Sequence, residues 1–349
     1  MCLDVSRAFD TVEHKTLLTK LERCGVRGLA NKWFYSYLSE RKQCVRINQT
    51  LSTCLTNKHG VPQGSILGPL LYIIYCNDLC QFNFQGTLTA FADDTALSYS
   101  ASRWNDVYKQ MSLDLKLLRA WFVTNKLTVN IEKTNYMNID LRQNVEFPCP
   151  VKYHSSDCQV TRGVIGLCDC RIINKVEQLK YLGLIFDQNM TWKQHVSHLT
   201  SYSNSFLRKF YLLKKVCTSD VLKNLYHSLY ESKISYALSV WGGTYPTTMY
   251  PLVISQKYSL RVIGNKKRFD HTQPLFKQYK ILPLCQLYQF KTLKIFYNMS
   301  ASYRSSVNHP QNTRQISQGH VHLSQPNKTC YKHSFYYQAP IMYNKLPTV

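Results

Sequence analysis

Apolar positions in this chain recur with two different periods. Leu17, Leu18 and Leu21 repeat at helical spacing. After a break at Gly25 and Gly28 the pattern resumes with Trp33, Phe34, Tyr37 and Leu38, which predicts helix over 14–39. The turn-rich stretch Gly60-Val61-Pro62-Gln63-Gly64 leads into an apolar run that predicts helix from about Ser65 to Leu79. A further helix is expected from about Arg103 to Asn125. From Trp192 to about Val240 the helical period dominates, with Thr218-Ser219-Asp220 as a cap. Cys2–Val5, Cys44–Asn48 and Tyr181–Asp187 read as strands. Residues 87–90 and 95–99 read as the arms of a hairpin with Asp93 and Asp94 at its tip. Residues 140–175 look like strands and loops. Beyond Ser300 the pattern fades into Asn, Gln, Ser and His, which predicts a poorly ordered tail. The first strand begins almost at the first residue, and this arrangement suggests a truncated chain.

Composition adds a polarity to this picture. The 349 residues are 44% apolar, enough for a real core. The net charge is +23, and it is unevenly spread. Residues 1–100 carry +2 and residues 101–200 carry +4, whereas residues 201–349 hold 20 basic and 3 acidic side chains. So one-sided a field attracts polyanions, with nucleic acid first among them. The 13 cysteines show no disulfide-like spacing and nothing at the start resembles a signal peptide, so a reducing intracellular compartment is expected. Cys149, Cys158, Cys168 and Cys170 invite a zinc reading, but Cys168-Asp169-Cys170 does not fit the usual Cys-x-x-Cys knuckle, and zinc is not expected. No apolar run is long enough to span a membrane.

Three acids carry the candidate chemistry. Asp4 lies on the first strand, and Asp93 and Asp94 sit between Phe91-Ala92 and Thr95-Ala96-Leu97. Paired acids in a turn are usually turn chemistry alone. Placed between apolar strands they are costly unless something uses them. Nucleotidyl transfer is such a use: it needs two divalent ions roughly 3.5–4 Å apart, held by a few hard oxygen ligands.

At these residues a family resemblance emerges. Phe91-Ala92-Asp93-Asp94 resembles the aromatic-x-Asp-Asp box of reverse transcriptases. Leu3-Asp4-Val5-Ser6-Arg7-Ala8-Phe9-Asp10 resembles their first palm motif, and Gly60 through Leu70, with Asn77-Asp78-Leu79 after it, resembles the second. Trp121 to Met137, with Lys133-Thr134, is similar to the next palm motif. Tyr181–Asp187 with Trp192 and His195 is similar to the primer-grip strand. Leu225-Tyr226 through Tyr236 and Trp241-Gly242 resembles the thumb of jockey-like, non-LTR (LINE-type) retrotransposon enzymes, and favours these over a group II intron maturase.

The resemblance implies an α+β fold. Residues 1–190 would form a palm of mixed sheet and helices, residues 191–300 a mostly helical basic thumb, and residues 301–349 a tail; the fingers would be missing, so that this chain alone would extend primers poorly or not at all. It implies Mg²⁺ or Mn²⁺ at Asp4, Asp93, Asp94 and the Val5 carbonyl. Phe9 would be a steric gate against a ribose 2′-hydroxyl, although a core Phe is the commoner fate. Gln63 and Gly64 would support the incoming nucleotide, and Lys133 would be an acid for pyrophosphate or else a solvated charge. The implied partners are an RNA template, a DNA primer and dNTPs, with no membrane; the place of action is the nucleus. Two alternatives stay open: a catalytically inactive nucleic-acid-binding remnant of a decayed element, and an interaction protein built on the same fold.

Overall fold

The computed structural model describes residues 1–139, 150–154, 158, 168–306, 321 and 329–346. The chain divides into two compact units, Met1–Leu182 and Gly183–Val349.

The first unit is built on a five-stranded sheet. Its strands are β1 (Cys2–Leu3), β6 (Thr87–Phe91), β7 (Asp94–Ser98), β8 (Asn135–Tyr136) and β11 (Asn174–Lys175), in the order β11-β8-β1-β7-β6. Every pairing is antiparallel except β11 with β8. β1 is therefore central although it is first in the chain. Helices α1 (His14–Arg23), α2 (Gly28–Leu38), α3 (Leu67–Cys76) and α4 (Trp104–Thr124) share one core with the sheet, in which Val12, Leu17, Tyr75 and Leu118 are fully enclosed. The expected break between α1 and α2 falls at Gly25, whose φ of 93° ends the first helix.

Two buried charges brace this unit. The Lys20 ammonium donates to the Tyr75 carbonyl, the Asn125 side chain and Asp78, and lies over the Tyr75 ring. Trp121 Nε1 donates to the same Asp78 oxygen at 3.0 Å. One cation thus ties α1 to α3, its following turn and the end of α4. On α4, the wholly buried Asp114 accepts the backbone N–H groups of Gln85 and Gly86, both at 2.9 Å. Two N–H donors compensate its charge and fix the chain where it enters β6.

Between α2 and α3 lies an exposed double ribbon: β2 (Lys42–Gln43) pairs with β5 (Leu55–Thr56), and β3 (Arg46–Ile47) with β4 (Thr50–Leu51). Of the strand expected over Cys44–Asn48 only Arg46–Ile47 is formed, and a separate strand, Lys42–Gln43, precedes it. The ribbon also joins Cys44 to Cys54 in a disulfide, with Cα atoms 4.5 Å apart. This corrects the expectation of unpaired cysteines. A separation of ten residues has no signature in sequence, but the double turn folds one position onto the other. The expected strand Tyr181–Asp187 is likewise interrupted: Leu182 and Gly183 adopt φ of 46° and 78°, separating β12 (Gln178–Tyr181) from β13 (Leu184–Asp187).

The second unit is mostly helical. Helices α5 (Lys193–Leu213) and α9 (Pro246–Ile263) form its main packing pair. Phe210, Tyr226, Trp241 and Leu252 are completely or nearly enclosed there. Gln256 of α9 is buried and saturated: its amide donates to Tyr226 Oη and the Leu282 carbonyl, and its oxygen accepts from Leu284 N–H, each at 2.9 Å. Asp187 accepts from the N–H groups of Asn189, Thr191 and Trp192, which shapes the entry to α5. Thr218 precedes helix Ser219–Leu225 as expected but makes no side-chain cap bond. The Ser219 hydroxyl instead donates to the Ile263 carbonyl. In the tail region the helix Phe335–Asn344 packs against the helix Leu284–Ser306. Among the described residues no helix is long and apolar enough to cross a membrane.

Candidate active site

The site is assembled on the central strand and the hairpin beside it. β6 and β7 are paired from Thr87↔Ser98 to Phe91↔Asp94, so only Ala92 and Asp93 form the turn. Ala92 takes the left-handed φ of 52° that such a tight turn requires. β1 pairs with β7 through Cys2↔Ala96 and Leu3↔Thr95. The next pair along this register is Asp4 with Asp94, and directly opposed residues share one face of a sheet. Electrostatics agree with the register. The Asp94 carboxyl is held above the ordinary carboxylate range, first by desolvation and then by the charges of Asp93 and Asp4. Asp94 is thus within electrostatic reach of both other acids. Among the described residues none of them has an ion-pair partner.

Asp4 is gripped from its other side by the segment 128–134. Asn130 N–H donates to the Asp4 carbonyl and Ser6 N–H to the Thr128 carbonyl, both at 2.8 Å; Val5 bridges Val129. The Asp4 N–H reaches Thr134 Oγ1 at 3.3 Å, and that hydroxyl is itself anchored on the Asn130 carbonyl. Thr134 is buried, whereas Lys133 beside it is exposed. The sequence reading weighed Lys133 and gave Thr134 no role; the pairing with Asp4 spans 130 residues and has no local signal.

The loop at 60–64 docks on the stretch that follows Asp4. Gly60 N–H donates to the Val12 carbonyl at 2.7 Å, and Val61 N–H to the Phe9 carbonyl at 2.8 Å. The Gly60 carbonyl meets His14 Nε2 at 2.8 Å. A β-carbon on Gly60 would lie 2.9 Å from the Asp10 carbonyl oxygen, and Gly60 has φ of 92°. Gly64 has φ of 77° with open space around it. Gln63 is exposed, and its amide donates to Asp10 Oδ1 at 2.8 Å. Asp10 was quoted within a motif but assigned no part, and this bond gives it one. Phe9 is half-buried and stacks on Tyr72 with ring centroids 4.7 Å apart. Tyr72 is enclosed; burial drives its phenol pKa far up, and the charge of Asp93 adds to the effect. A cleft of about 600 Å³ opens beside the loop, lined among others by Asp10, His14, Arg41, His59 and Gln63.

A divalent cation fits this chemistry. Asp94, with Asp93 beside it and Asp4 on the adjoining strand, offers the hard carboxylate oxygens that Mg²⁺ or Mn²⁺ prefers, and among the described residues no ammonium or guanidinium is paired to these acids. An acid-bearing central strand, an acid-tipped hairpin and a glycine-hinged glutamine loop together are the parts of a nucleotide-polymerising domain. Residues 1–186 match the family model for reverse transcriptase (RNA-dependent DNA polymerase), and the chain belongs to that family.

Its relatives come from mobile elements. The chain is 27% identical over 275 residues to a probable RNA-directed DNA polymerase from transposon BS of Drosophila melanogaster, covering 75% of this chain and 28% of that protein. It is 25% identical over 289 residues to the corresponding probable polymerase of the X-element from the same fly, covering 80% and 30%. Against the RNA-directed DNA polymerase from mobile element jockey the identity is 25% over 293 residues, covering 80% and 30%. The resemblance to jockey-like, non-LTR retrotransposon enzymes is therefore borne out. The chain spans less than a third of the length of these relatives.

Proposed function

We propose that this chain carries the catalytic centre of an RNA-directed DNA polymerase, adding dNTPs to the 3′ end of a DNA primer on an RNA template. The observation that carries the reading is the placement of Asp4 and Asp94 on adjoining strands with Asp93 at the hairpin turn, so that Asp94 feels the charge of both other acids. Asp4, the Val5 carbonyl, Asp93 and Asp94 would hold Mg²⁺ or Mn²⁺. Such ions lower the pKa of the attacking 3′-hydroxyl and stabilise charge on the leaving phosphates. The protein's own part is positioning. Phe9, backed by the Tyr72 ring, forms a wall against a ribose 2′-hydroxyl. Gln63, steadied by Asp10, and Gly64 support the nucleotide. Lys133 is the acid for pyrophosphate. Residues 1–190 serve as the palm and 191–300 as the thumb, whose basic surface follows the duplex backbone. The enzyme acts in the nucleus, where its primer is.

Primer extension tests this. The full chain is given an RNA template, a DNA primer, dNTPs and Mg²⁺ or Mn²⁺. Metal-dependent extension, however slow, that Asp93→Asn abolishes supports the assignment. Extension indifferent to Asp93→Asn would refute the assignment. Template binding without extension would favour the non-catalytic remnant.

A further inference from the structure

The geometry points to a structural zinc site in the first unit, built from His154, Cys158, Cys168 and Cys170. One ligand atom from each of the four lies within 4.8 Å of every other. His154 Nδ1 is 3.5 Å from Cys158 Sγ and 3.4 Å from Cys168 Sγ. A tetrahedral zinc with ordinary Zn–S and Zn–N bonds places nitrogen about 3.5 Å from sulfur, and sulfurs about 3.8 Å from each other. Two contacts already have the ligated spacing, and the widest must close by about 1 Å. All three cysteines are thiols rather than disulfides, and Cys158 is buried.

The backbone explains why the ligands meet although their spacing in sequence lacks a zinc-knuckle pattern. Strand β9 (Lys152–Tyr153) pairs antiparallel with β10 (Arg171–Ile172), with Tyr153 opposite Arg171. His154 directly follows one strand, and Cys170 directly precedes the other, with Cys168 two residues before it. The ribbon thus brings its two ends together without any help from local spacing. Spacing in sequence argues against zinc, and the proposal rests on the folded geometry instead; Cys149, considered with these cysteines in the sequence, lies outside the described residues.

The surroundings suit a thiolate-rich centre. Three thiolates and one neutral imidazole around Zn²⁺ leave a net charge of about −1. Lys152 Nζ donates to the Cys168 carbonyl and stands 4.0 Å from its sulfur. Lys116 and Arg119, both on α4, are near enough to act electrostatically on His154. These cations offset the charge that metal binding creates as the thiol protons are released. Four protein ligands leave no open coordination position, so the ion would be structural. It would clamp β9 to β10, next to β11 of the main sheet, and stands apart from the carboxylate centre in its ligands and its metal.

The test uses the full 349-residue chain, purified with reduced thiols and dialysed against zinc. Elemental analysis is expected to find one zinc per chain in the parent and a loss of that zinc in Cys168→Ser/Cys170→Ser. A Cys24→Ser control, at an exposed cysteine, should keep it. Replacement by cobalt should give the visible absorption of a tetrahedral thiolate complex. A parent chain that holds no zinc would overturn the proposal, as would zinc that survives the double substitution. Should the double variant fail to fold, alkylation of the parent decides. Zinc must protect Cys158, Cys168 and Cys170 while exposed Cys24, Cys80 and Cys285 react as before; equal labelling with and without zinc would overturn the site.

Discussion

Replacing Gly60 by alanine probes the contact that seats the 60–64 loop against the stretch behind Asp4. Two penalties combine. A non-glycine residue held at φ of 92° costs roughly 1–2 kcal/mol. The added methyl would also meet the Asp10 backbone, with the carbonyl oxygen at 2.9 Å, Cα at 3.0 Å and the carbonyl carbon at 3.1 Å. Backbone atoms cannot rotate away as a side chain would, and relieving such overpacking costs about 1–3 kcal/mol. The total expected is about 2–5 kcal/mol of stability in the first unit. Gly25→Ala carries the first penalty alone. Gly25 has nearly the same φ, 93°, with nothing within 4 Å of its β-carbon position, so only the conformational cost applies. Urea unfolding of both variants gives the difference. Hydrogen exchange reports the local effect, because the Gly60 and Val61 amides are bonded to the Val12 and Phe9 carbonyls and should lose protection in Gly60→Ala alone. Equal destabilisation by the two substitutions would refute the steric argument.

Further outcomes follow from other sites. Lys20→Met removes a buried ammonium and leaves the partly solvated Asp78 with the Trp121 indole N–H; a loss of about 1–3 kcal/mol is expected in urea unfolding, and a neutral result would show that the ion pair does not brace the helices. Burial, with help from His198 and Lys233, pushes the His195 pKa down to about 4. Since its unfolded value is higher, its stabilisation is complete above about pH 6.5 and is lost as pH falls toward 4, by up to about 3 kcal/mol. His195→Phe should flatten that part of the acid-unfolding curve of the second unit. Binding of an RNA–DNA hybrid should weaken at least about tenfold between 50 and 200 mM salt if the basic residues of 201–349 contact phosphates; a filter-binding titration that is flat with salt would exclude them.

The acid-tipped hairpin could be read directly, because alternation, a two-residue turn and adjacent acids are all local signals. The two bends in α1–α2 and the 60–64 loop were also announced by their glycines. Other features rest on distant partners. Nothing near Lys20 in sequence names Asp78 or Asn125, and nothing near Asp4 names Thr134. At Leu182-Gly183 the apolar run Tyr181–Phe186 outweighed the glycine, and the turn was missed. The Cys44–Cys54 bond and the His154/Cys cluster share one cause. In both, strand pairing closes a gap that rules about cysteine spacing do not cover.

The central place of β1 has a consequence for synthesis. Its Cys2 pairs with Ala96 on one side and with Asn135 on the other, so β1 must wait for two neighbours that are both made after it. With translation at 5–20 residues per second, the second partner emerges roughly 2–8 s after the first. Throughout that interval the β1–β7–β6 ribbon has an unpaired edge, and such edges recruit strands from other chains. The candidate site therefore depends on a nascent chain that keeps the Asp4 strand to itself while the ribosome delivers the rest of the sheet.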